Sequence, residues 1–388
     1  MKLLTVIGAR PQIIKAAAIS RAIANGFSDQ VEERILHTGQ HYDANMSQVF
    51  FDELGIPQPH YNLKVGSGRH GAQTAKMISG IEEVLMTSAF DGVILYGDTN
   101  STLAGAVAAS KLHVPVYHIE AGLRSFNMTM PEEINRIVCD QLSNICFAPT
   151  QTAVNNLRNE GFMESHATFA GGRHRKVCNC GDVMYDNSMY FATLANQRCH
   201  IINKLGLQPN NYILATIHRD NNTDNPERLL AIMTALNDIA QQDNIQVVLP
   251  LHPRTRKMLQ NTTLPFSISG LESSAPNSIN NDNTCAIRII PPASFFEINM
   301  LEQYAKVVMT DSGGVQKEAF FFEKPCVILR PETEWVEIVE HGAGLIADAN
   351  YDRIVASYRQ LVDHPVHFPH LFGNGHAAEK IIETIIEY

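Results

Sequence analysis

The stretch GVILYGDTNSTLAGAVAASKLHVPVYHIEAG, residues 92–122, decides the fold of this chain. Its first segment (92–96) is short, apolar and rich in β-forming residues. An alanine-rich, helix-like run follows, and then a second apolar segment (114–119). This alternation predicts a βαβ unit, whose two strands are parallel members of an open sheet. Each strand leads directly to a carboxylate, which is Asp98 after the first and Glu120 after the second.

Carboxylates at strand ends are the main functional signal in this chain. In an open parallel sheet, ligands bind beyond the carboxyl ends of the strands. Asp98, Glu120 and Glu132, the last in the segment MPEEINR, all fall within residues 96–136. A lone surface carboxylate is common and usually has no function. Three carboxylates beside turn signals in so short a span predict a shared site for proton transfer.

The same alternation continues on both sides of this stretch. We predict further strands at 3–7, 35–37, 145–148, 212–217, 246–251, 286–290, 307–310 and 325–329, and helices at 73–86, 101–112, 132–142, 226–241 and 312–322. At 388 residues the chain is too long for one hydrophobic core. We therefore predict an α/β fold with two Rossmann-like domains facing a central cleft, which is a preferred place for a ligand.

Breaks in the pattern indicate the domain boundaries. Residues 163–180 lack periodicity, and residues 270–284 are typical of a long polar surface loop. We predict an N-terminal domain at 1–172, a C-terminal domain at 173–365, and a final segment at 366–388 that ends in an amphipathic helix.

Composition argues against several classes of partner. The net charge of −10 and the pI near 5.9 give no basic surface for nucleic acid. No apolar run approaches the roughly 20 residues that span a bilayer, and the N-terminus lacks the pattern of a signal peptide. Seven cysteines, an odd number, favour a reducing compartment. We therefore predict a cytoplasmic protein without nucleic-acid or membrane partners.

Cysteine spacing does not indicate a metal site. Cys178 and Cys180 form a C-x-C pair near His166 and His174. This spacing fits none of the common zinc patterns, and the alternate residues of a short strand explain it as well. We predict no bound metal.

The segment TDSGGVQKE, residues 310–318, is the second candidate site. Ser312 is a good helix N-cap, and Gly313 and Gly314 let a ligand approach the backbone closely. The N–H groups of such a helix start can hold a phosphate, and Glu318 can reach a ribose hydroxyl. A capped helix with a tight turn explains the same residues without a ligand. The segment does not match the G-x-G-x-x-G fingerprint or the G-x-x-x-x-G-K-[ST] loop.

Polar and basic residues at other strand exits extend the candidate sites. Arg10 and Lys15 follow the first strand, Gln40 and His41 follow the next, and His218 follows a strand in the second half. Arginine offers a phosphate a bidentate fork, and lysine offers it a point charge. Each residue also has an ordinary explanation, as a solvated side chain or a structural histidine.

Two arginines stand close in sequence to the candidate acids. Arg124 follows Glu120, and Arg136 follows Glu132. They are either plain ion-pair partners of these acids or contacts for an anionic substrate.

Taken together, the motifs resemble the non-hydrolysing UDP-N-acetylglucosamine 2-epimerase family. They occur in order almost from end to end of the chain: GARPQIIK, HTGQHYD, YGDTNSTLAG, HIEAGLRSF, MPEEINR, TDSGGVQKEA, TEWVE and FGNG. The resemblance implies a fold similar to that of glycosyltransferase B, with the C-terminal helix returning to the first domain. It also implies a homodimer, a UDP-sugar substrate held mostly by the second domain, and no cofactor or metal.

The resemblance also implies the reaction and the residue roles. Carbon 2 of UDP-N-acetylglucosamine has no adjacent carbonyl. The family chemistry therefore resembles elimination of UDP to a 2-acetamidoglucal, then re-addition that gives UDP-N-acetylmannosamine. The acid and base roles, individually unassigned, fall to Asp98, Glu120 and Glu132, and His218 would steady the leaving group. The substrate-binding residues implied by the resemblance are Arg10, Lys15, Gln40, His41, Arg136, Ser312, Gly313, Gly314 and Glu318.

Departures from the family pattern leave the substrate open. TEWVE stands where better-known members carry TERPE, and TEWVE and QKEA resemble the subgroup acting on UDP-2,3-diacetamido-2,3-dideoxyglucuronate. That sugar has a carboxylate, for which Lys317 and Arg330 are candidate partners. QHYDANM replaces QHREM, which helps to form the allosteric site of some members. The product would supply a mannosamine-type sugar for polysaccharide biosynthesis.

Three other functions fit parts of the pattern. A hydrolysing epimerase would release free N-acetylmannosamine, and only closure of the site separates it from the non-hydrolysing class. A glycosyltransferase of the same fold needs an acceptor and usually one base, so the clustered acids disfavour it. A nucleotide-sugar sensor would not need three acids together with His218.

Overall fold

The computed structural model describes residues 1–40, 56–163, 169, 172–251, 253–262, 264–271 and 286–388. The chain divides into two compact units, which are Met1–Asn187 with His370–Tyr388, and Ser188–Pro369. Each unit contains one parallel sheet with helical connections, so the prediction of two parallel-sheet α/β domains is confirmed. No helix in the described part of the chain is both long and apolar enough to cross a membrane.

The sheet of the first unit is parallel throughout its described strands. These strands are β1 (Lys2–Ile7), β2 (Glu32–His37), β3 (Tyr61–Asn62), β4 (Gly92–Tyr96), β5 (Val116–Ile119), β6 (Ile145–Ala148) and β7 (Lys176–Asn179). They lie in the order β3-β2-β1-β4-β5-β6-β7. Strand β4 is buried along its whole length, as expected for a central strand covered on both faces. The order reverses between β1 and β4, and this reversal marks the ligand-binding edge of such sheets.

The described helices of the first unit begin in different ways. They are α1 (Arg10–Ala22), which continues as a π-helical turn (Ile23–Phe27), then α2 (His70–Thr87), α3 (Asn100–Lys111), α4 (Pro131–Leu142) and α5 (Gln151–Asn159). The Thr99 hydroxyl accepts a hydrogen bond from the Thr102 N–H and so caps α3. Pro131 takes the first position of α4, where its missing N–H costs nothing. Helix α6 (Val183–Arg198) then passes from the first unit into the second.

The second unit repeats the pattern with a second parallel sheet. Its described strands are β8 (Tyr212–Thr216), β9 (Gln246–Pro250), β10 (Ile287–Ile290), β11 (Val307–Thr310), β12 (Cys326–Ile328) and β13 (Gly344–Ile346). Their order is β10-β9-β8-β11-β12-β13, so the reversal falls between β8 and β11. The helices are α7 (Ile201–Leu205), α8 (Asp220–Thr223), α9 (Pro226–Asp243), α10 (Pro253–Gln260), α11 (Phe295–Tyr304), α12 (Gly313–Phe321), α13 (Val336–Glu340) and α14 (Tyr351–Asp363).

The division of the chain differs from the predicted boundary at 172/173. Strand β7 pairs with β6, with Lys176 opposite Ile145, so this segment belongs to the first sheet. The sequence predicted an aperiodic connection there. The strand is short, half-exposed and at the edge of the sheet, so its residues show little hydrophobic pattern. The break between units lies at Asn187 and Ser188. The predicted loop at 270–284 falls almost wholly outside the described residues.

The last helix, α15 (Ala377–Glu387), belongs to the first unit. Its apolar side is buried, which agrees with the predicted amphipathic helix. The N–H of Ala378 donates to the Asp186 carboxylate at 2.8 Å. Burial raises the pKa of Asp186 to about 6, although hydrogen bonds from the backbone of Ala378 and Ala377 oppose the rise.

Candidate active site

Each unit places its candidate residues at the reversal of its own sheet. In the first unit, Arg10 follows β1 and Asp98 follows β4, the two strands that flank the reversal. In the second unit, His218 follows β8 and Ser312 follows β11. Strand exits at a reversal are the expected ligand position in this class of fold. Both predicted sites therefore occupy the edge that topology favours.

Asp98 lies among four other charged side chains. Its carboxylate forms an ion pair with Arg136 and is 28% exposed. Burial raises the pKa of Asp98, and the charges of Glu120 and Glu132 raise it further. Arg136 and Lys15 oppose this rise. Glu120 and Glu132 are therefore close enough to influence the charge of Asp98, and its raised pKa favours the protonated form.

Glu120 sits in a tight turn directly after β5. Its φ of 72° is left-handed, which is uncommon for a residue other than glycine. Its carboxylate forms an ion pair with Lys15, and both side chains are nearly buried. Gly97 packs against this pair, because a Cβ there would lie 3.1 Å from Glu120 Oε2 and 3.2 Å from Lys15 Nζ. The turn after β4 and the turn after β5 thus touch at the candidate carboxylates.

The two adjacent acids of MPEEINR have different surroundings. Glu133 is buried, and its carboxylate accepts hydrogen bonds from the N–H groups of Ser125 and Phe126 at 2.9–3.1 Å. It also lies 3.1 Å from Arg136 Nη1. Glu132 is exposed at the start of α4. Glu133 therefore holds the backbone in place, and Glu132 is the acid available to a ligand.

A pocket of about 340 Å³ opens beside Asp98 in the first unit. Its lining residues are Ala9, Arg10, Pro11, Gln40, His70, Asp98, Thr99, Asn100, Pro131, Glu132 and Asn135. The pocket therefore combines two of the predicted acids with two of the predicted substrate-binding residues. Gln40 is buried, and its side-chain oxygen accepts from the Ser101 N–H at 3.1 Å and from the Ser101 hydroxyl at 2.8 Å.

Sequence reasoning missed several residues that build this pocket. Gln12 is buried, accepts from the N–H groups of Gly8 and Ala9 at 2.9 and 3.2 Å, and donates to the Tyr96 carbonyl at 2.9 Å. It ties the exit of β1 to the exit of β4. Asn135 donates to the Asp98 carbonyl at 2.9 Å. Both are polar residues inside helices, and nothing in the local pattern distinguishes them.

His70 is a further pocket residue that we did not predict. It opens α2 and lies within the glycine-rich segment GSGRHG (66–71), which follows β3. This segment has G-x-G-x-x-G spacing, which could have drawn attention to the residue. The Nδ1 atom of His70 lies 3.2 Å from the Asn100 amide nitrogen.

In the second unit, His218 is held by a buried aspartate. Its Nδ1 lies 2.9 Å from Asp311 Oδ1, and the His218 side chain is 52% exposed. Asp311 also accepts from the N–H groups of His218 and Arg219 and from Asn222, at 3.0–3.1 Å. Burial alone would raise the pKa of Asp311, but these hydrogen bonds outweigh it and hold the pKa below its usual value. We assigned no role to Asp311 from the sequence. It directly follows β11, at a strand exit where a site residue is expected.

The helix start after β11 has the predicted side-chain cap. Ser312 caps α12 by accepting from the Val315 N–H at 3.5 Å. A Cβ at Gly313 would overlap the Glu334 carboxylate, whereas a Cβ at Gly314 would meet nothing closer than Ser312 Oγ at 3.8 Å. Glu318 lies on the same helix and is near buried Glu302. Burial and the charge of Glu318 raise the pKa of Glu302 well above its usual value.

The two cations suggested for a sugar carboxylate both contact other side chains. Lys317 is buried, with its Nζ 4.2 Å from the centre of the Trp335 ring. Arg330 Nη1 lies 3.0 Å from Glu334 Oε2. A sugar carboxylate would have to compete with these contacts.

One predicted residue cannot be placed, because His41 lies outside the described residues. Cys178 is on β7 and Cys180 directly follows the strand, so only the first cysteine of the pair is a strand residue. Within the described ranges, no three His, Cys, Asp or Glu side chains are grouped as metal ligands.

The fold and the site define a class of two-unit α/β proteins with clustered acids in one unit and a capped helix start in the other. The chain belongs to the UDP-N-acetylglucosamine 2-epimerase family, because the sequence model of that family matches residues 26–386. This result confirms the resemblance seen in the motifs, and the chain is an epimerase.

Individual relatives agree with this assignment over nearly their whole length. The chain is 48% identical to the UDP-2,3-diacetamido-2,3-dideoxy-D-glucuronate 2-epimerase of Pseudomonas aeruginosa, and the alignment covers 99% of each chain. It is 38% identical to the UDP-N-acetylglucosamine 2-epimerase of Methanocaldococcus jannaschii, again over 99% of each.

Solved structures are similar throughout. The crystal structure of the Methanocaldococcus jannaschii enzyme in complex with UDP-N-acetylglucosamine and UDP has a TM-score of 0.79 at 37% identity, covering 100% of both chains. The Neisseria meningitidis enzyme bound to UDP-N-acetylglucosamine gives 0.80 at 28% identity, also with full coverage. A UDP-bound transferase from Siraitia grosvenorii, at 0.56 and 12% identity, shows a likeness of fold alone.

Proposed function

We propose that this chain catalyses reversible inversion at carbon 2 of UDP-N-acetylglucosamine, giving UDP-N-acetylmannosamine without net hydrolysis. The observation that carries the proposal is the group of charges around Asp98, in which two further carboxylates and two cations act on one partly buried acid. Inversion needs a base on one face of the sugar and an acid on the other. A pocket with several carboxylates can supply both.

The proposed reaction has two stages. A base removes the proton from carbon 2, the electron pair forms the bond between carbons 1 and 2, and UDP departs with the electrons of the carbon 1–oxygen bond. The intermediate is a 2-acetamidoglucal. UDP then adds back to carbon 1, and an acid gives carbon 2 a proton on the opposite face.

We propose Asp98, Glu120 and Glu132 as the acid/base set. The raised pKa of Asp98 suits a group that donates a proton near neutral pH. Glu120 is paired with Lys15, which favours its ionised form and suits a base. Glu132 lies on the pocket wall, within reach of a bound ligand.

The remaining predicted residues are proposed to bind the substrate. Arg10, Gln40 and Arg136 belong to the first unit, and Arg10 and Gln40 line its pocket. In the second unit, the N–H groups that open α12 would hold the diphosphate, and His218 would steady its departure. Lys15 was predicted to contact the leaving group, and its ion pair with Glu120 supports a second role, as a partner of that acid.

A second substrate is supported by a specific observation. The relative from Pseudomonas aeruginosa at 48% identity acts on UDP-2,3-diacetamido-2,3-dideoxy-D-glucuronate, and the relative from Methanocaldococcus jannaschii that acts on UDP-N-acetylglucosamine is at 38%. TEWVE points in the same direction. The same elimination and re-addition would apply, because the reacting carbons are unchanged.

The test is an NMR experiment in deuterated water with the purified chain and each UDP-sugar separately. UDP-N-acetylmannosamine with deuterium at carbon 2 supports the first proposal, and turnover of the diacetamido-uronate alone supports the second. Release of free N-acetylmannosamine would contradict both and favour a hydrolysing epimerase. Consumption of UDP-sugar only when a sugar acceptor is present would favour a glycosyltransferase.

We further propose a cytoplasmic homodimer whose product supplies polysaccharide biosynthesis. Support comes from the composition and from the family to which the chain belongs. Light scattering on the eluate of a gel-filtration column tests the oligomeric state, and a mass near 43.0 kDa would contradict the dimer.

A further inference from the structure

His118 is a charged side chain in the interior of the first unit. It lies on β5 and is fully buried. Its Nδ1 is 2.7 Å from Asp140 Oδ1, and its Nε2 is 2.7 Å from the Gly97 carbonyl oxygen. A carboxylate and a carbonyl only accept hydrogen bonds, so both ring nitrogens carry protons and the ring is an imidazolium. Burial alone would lower the pKa of His118, but Cys139 and Asp140 outweigh it and hold the pKa well above its usual value.

Asp140 connects this histidine to the turn that carries Glu120. Its second oxygen accepts from the Gly122 N–H at 3.1 Å and lies 2.8 Å from Arg124 Nη1. Arg124 also donates two hydrogen bonds to the Glu160 carboxylate, with nitrogen–oxygen distances of 2.6 and 2.8 Å. The four charges balance, two positive and two negative. Asp140 stays ionised. Burial alone would raise its pKa, but His118 and Arg124 outweigh burial and lower the pKa below its usual value.

Both backbone polar groups of Gly97 are hydrogen-bonded. Its carbonyl accepts from His118, and its N–H donates to the Ile119 carbonyl at 3.0 Å. Gly97 directly precedes Asp98, and a Cβ on it would lie 3.1 Å from the Glu120 carboxylate. A movement of this glycine would therefore change the position of both acids.

We propose that His118 is a positioning residue for the epimerase reaction, which fixes the backbone around Asp98 and Glu120 through Gly97 and, by way of Asp140, through Gly122. This inference rests on the proposed function, because it takes those two carboxylates as the groups that move protons at carbon 2. His118 itself does not touch the substrate.

The physical reason lies in the demands of inversion. Two acids must reach opposite faces of one carbon, and a misplacement of about 1 Å can cost 100-fold in rate. A buried ion pair is a poor source of stability, because apolar side chains of similar volume often replace it without loss. A set of buried charges that joins two catalytic turns is therefore better explained by placement of those turns than by stability of the fold.

The first test replaces His118 with phenylalanine, which keeps a ring of similar size and removes both donors. We expect kcat to fall about 100-fold while KM changes less than about threefold and the affinity for UDP is unchanged. A kcat within about threefold of the original in this variant would overturn the proposal. The matched control is Glu160→Gln at the outer end of the same network, where the carboxylate is 31% exposed. Its kcat should stay within about threefold.

The second test separates position from charge. In Asp140→Asn, the amide can donate to Nδ1 of a neutral His118, whose Nε2–H still donates to Gly97, and its oxygen can accept from Gly122. We expect this variant to retain at least tenfold more kcat than His118→Phe. If Asp140→Asn loses about 100-fold, the charge and not the position matters, and the proposal fails. This variant also decides the matter if His118→Phe does not fold, since a kcat within about tenfold of the original supports positioning.

A measurement without turnover distinguishes failure of this inference from failure of the proposed function. Selective ¹⁵N labelling of histidine should show two ring N–H resonances for His118 at neutral pH, assigned by their loss in His118→Phe. A single ring N–H would contradict the inferred hydrogen bonds. If the unaltered chain converts neither UDP-sugar but shows both resonances, the proposed function fails and the placement of the turns by His118 stands.

Discussion

The two units share one topology and differ in what their strand exits carry. In both sheets the strand order reverses between the first strand and the fourth of its unit, at β1 and β4 or at β8 and β11. The first unit presents carboxylates there, held by Lys15 and Arg136. The second presents backbone N–H groups, two glycines and a histidine on a buried aspartate. The fold supplies the same edge twice, and a few side chains distinguish the edge proposed for proton transfer from the edge proposed for an anion.

The difference also appears in the direction of the aspartate pKa values. The pKa of Asp98 in the first unit is raised chiefly by burial, and the neighbouring acids raise it further. In Asp311 of the second unit, burial is outweighed by several donors, and the pKa is lowered. A carboxyl group with a raised pKa is suited to exchange a proton. A carboxylate with a lowered pKa stays ionised and is suited to hold a neighbour in place.

The largest effect is expected from neutralising the acids of the first unit. Asp98→Asn, Glu120→Gln and Glu132→Gln should each lower kcat, and the acid and base among them by at least about 1,000-fold, because proton transfer loses its partner. UDP affinity, assigned to the second unit, should change less than about threefold. Rates of deuterium incorporation at carbon 2 and calorimetric titration with UDP measure the two quantities. Full turnover in all three variants would remove the proposed acid/base set.

The second prediction addresses the helix start of the second unit. Gly313→Ala should weaken UDP binding about tenfold or more, which is ~1.4 kcal/mol, because the new Cβ collides with the Glu334 carboxylate. Gly26→Ala, in the π-helical turn of the first unit, is the control, since a Cβ there would meet no atom within 4 Å. Its UDP affinity should stay within about threefold. Equal losses in the two variants, measured by calorimetry, would show that close packing at Gly313 is not what shapes the site.

The sequence was informative where a local pattern carries the physics. An apolar run followed by an acid identified the exits of β4 and β5, and Ser312 with its glycines identified the start of α12. The central strands are buried on both faces, so their residues are uniformly apolar and easy to recognise. Strand β7 entered only as one explanation of the Cys178–Cys180 spacing, because it is short and half-exposed, and the predicted domain boundary was therefore placed before it.

Partners that are distant in sequence could not be predicted from local pattern. Lys15 lies 105 residues from Glu120, and His218 lies 93 from Asp311. Gln12 and His118 are polar residues inside buried elements, and only the folded chain shows which backbone groups they hold. Exposure also had to be seen, since adjacent Glu132 and Glu133 are equivalent in sequence.

The smallest effect is expected on the free energy of unfolding, from Asp311. Its folded pKa is lowered, so the ionised form stabilises the native state above the unfolded pKa of about 3.9, and that contribution is lost as the pH falls through the folded pKa. Asp311→Asn should therefore lower the free energy of unfolding by about 1 kcal/mol at pH 7, and the gap from the original chain should shrink below about pH 4. Urea unfolding at several pH values measures it. His218→Gln is the informative companion, because it leaves the backbone donors and Asn222 on the carboxylate and should keep most of the acid dependence. A gap that does not change with pH would mean that these hydrogen bonds do not hold the charged form, and the contrast with Asp98 would lose its electrostatic basis.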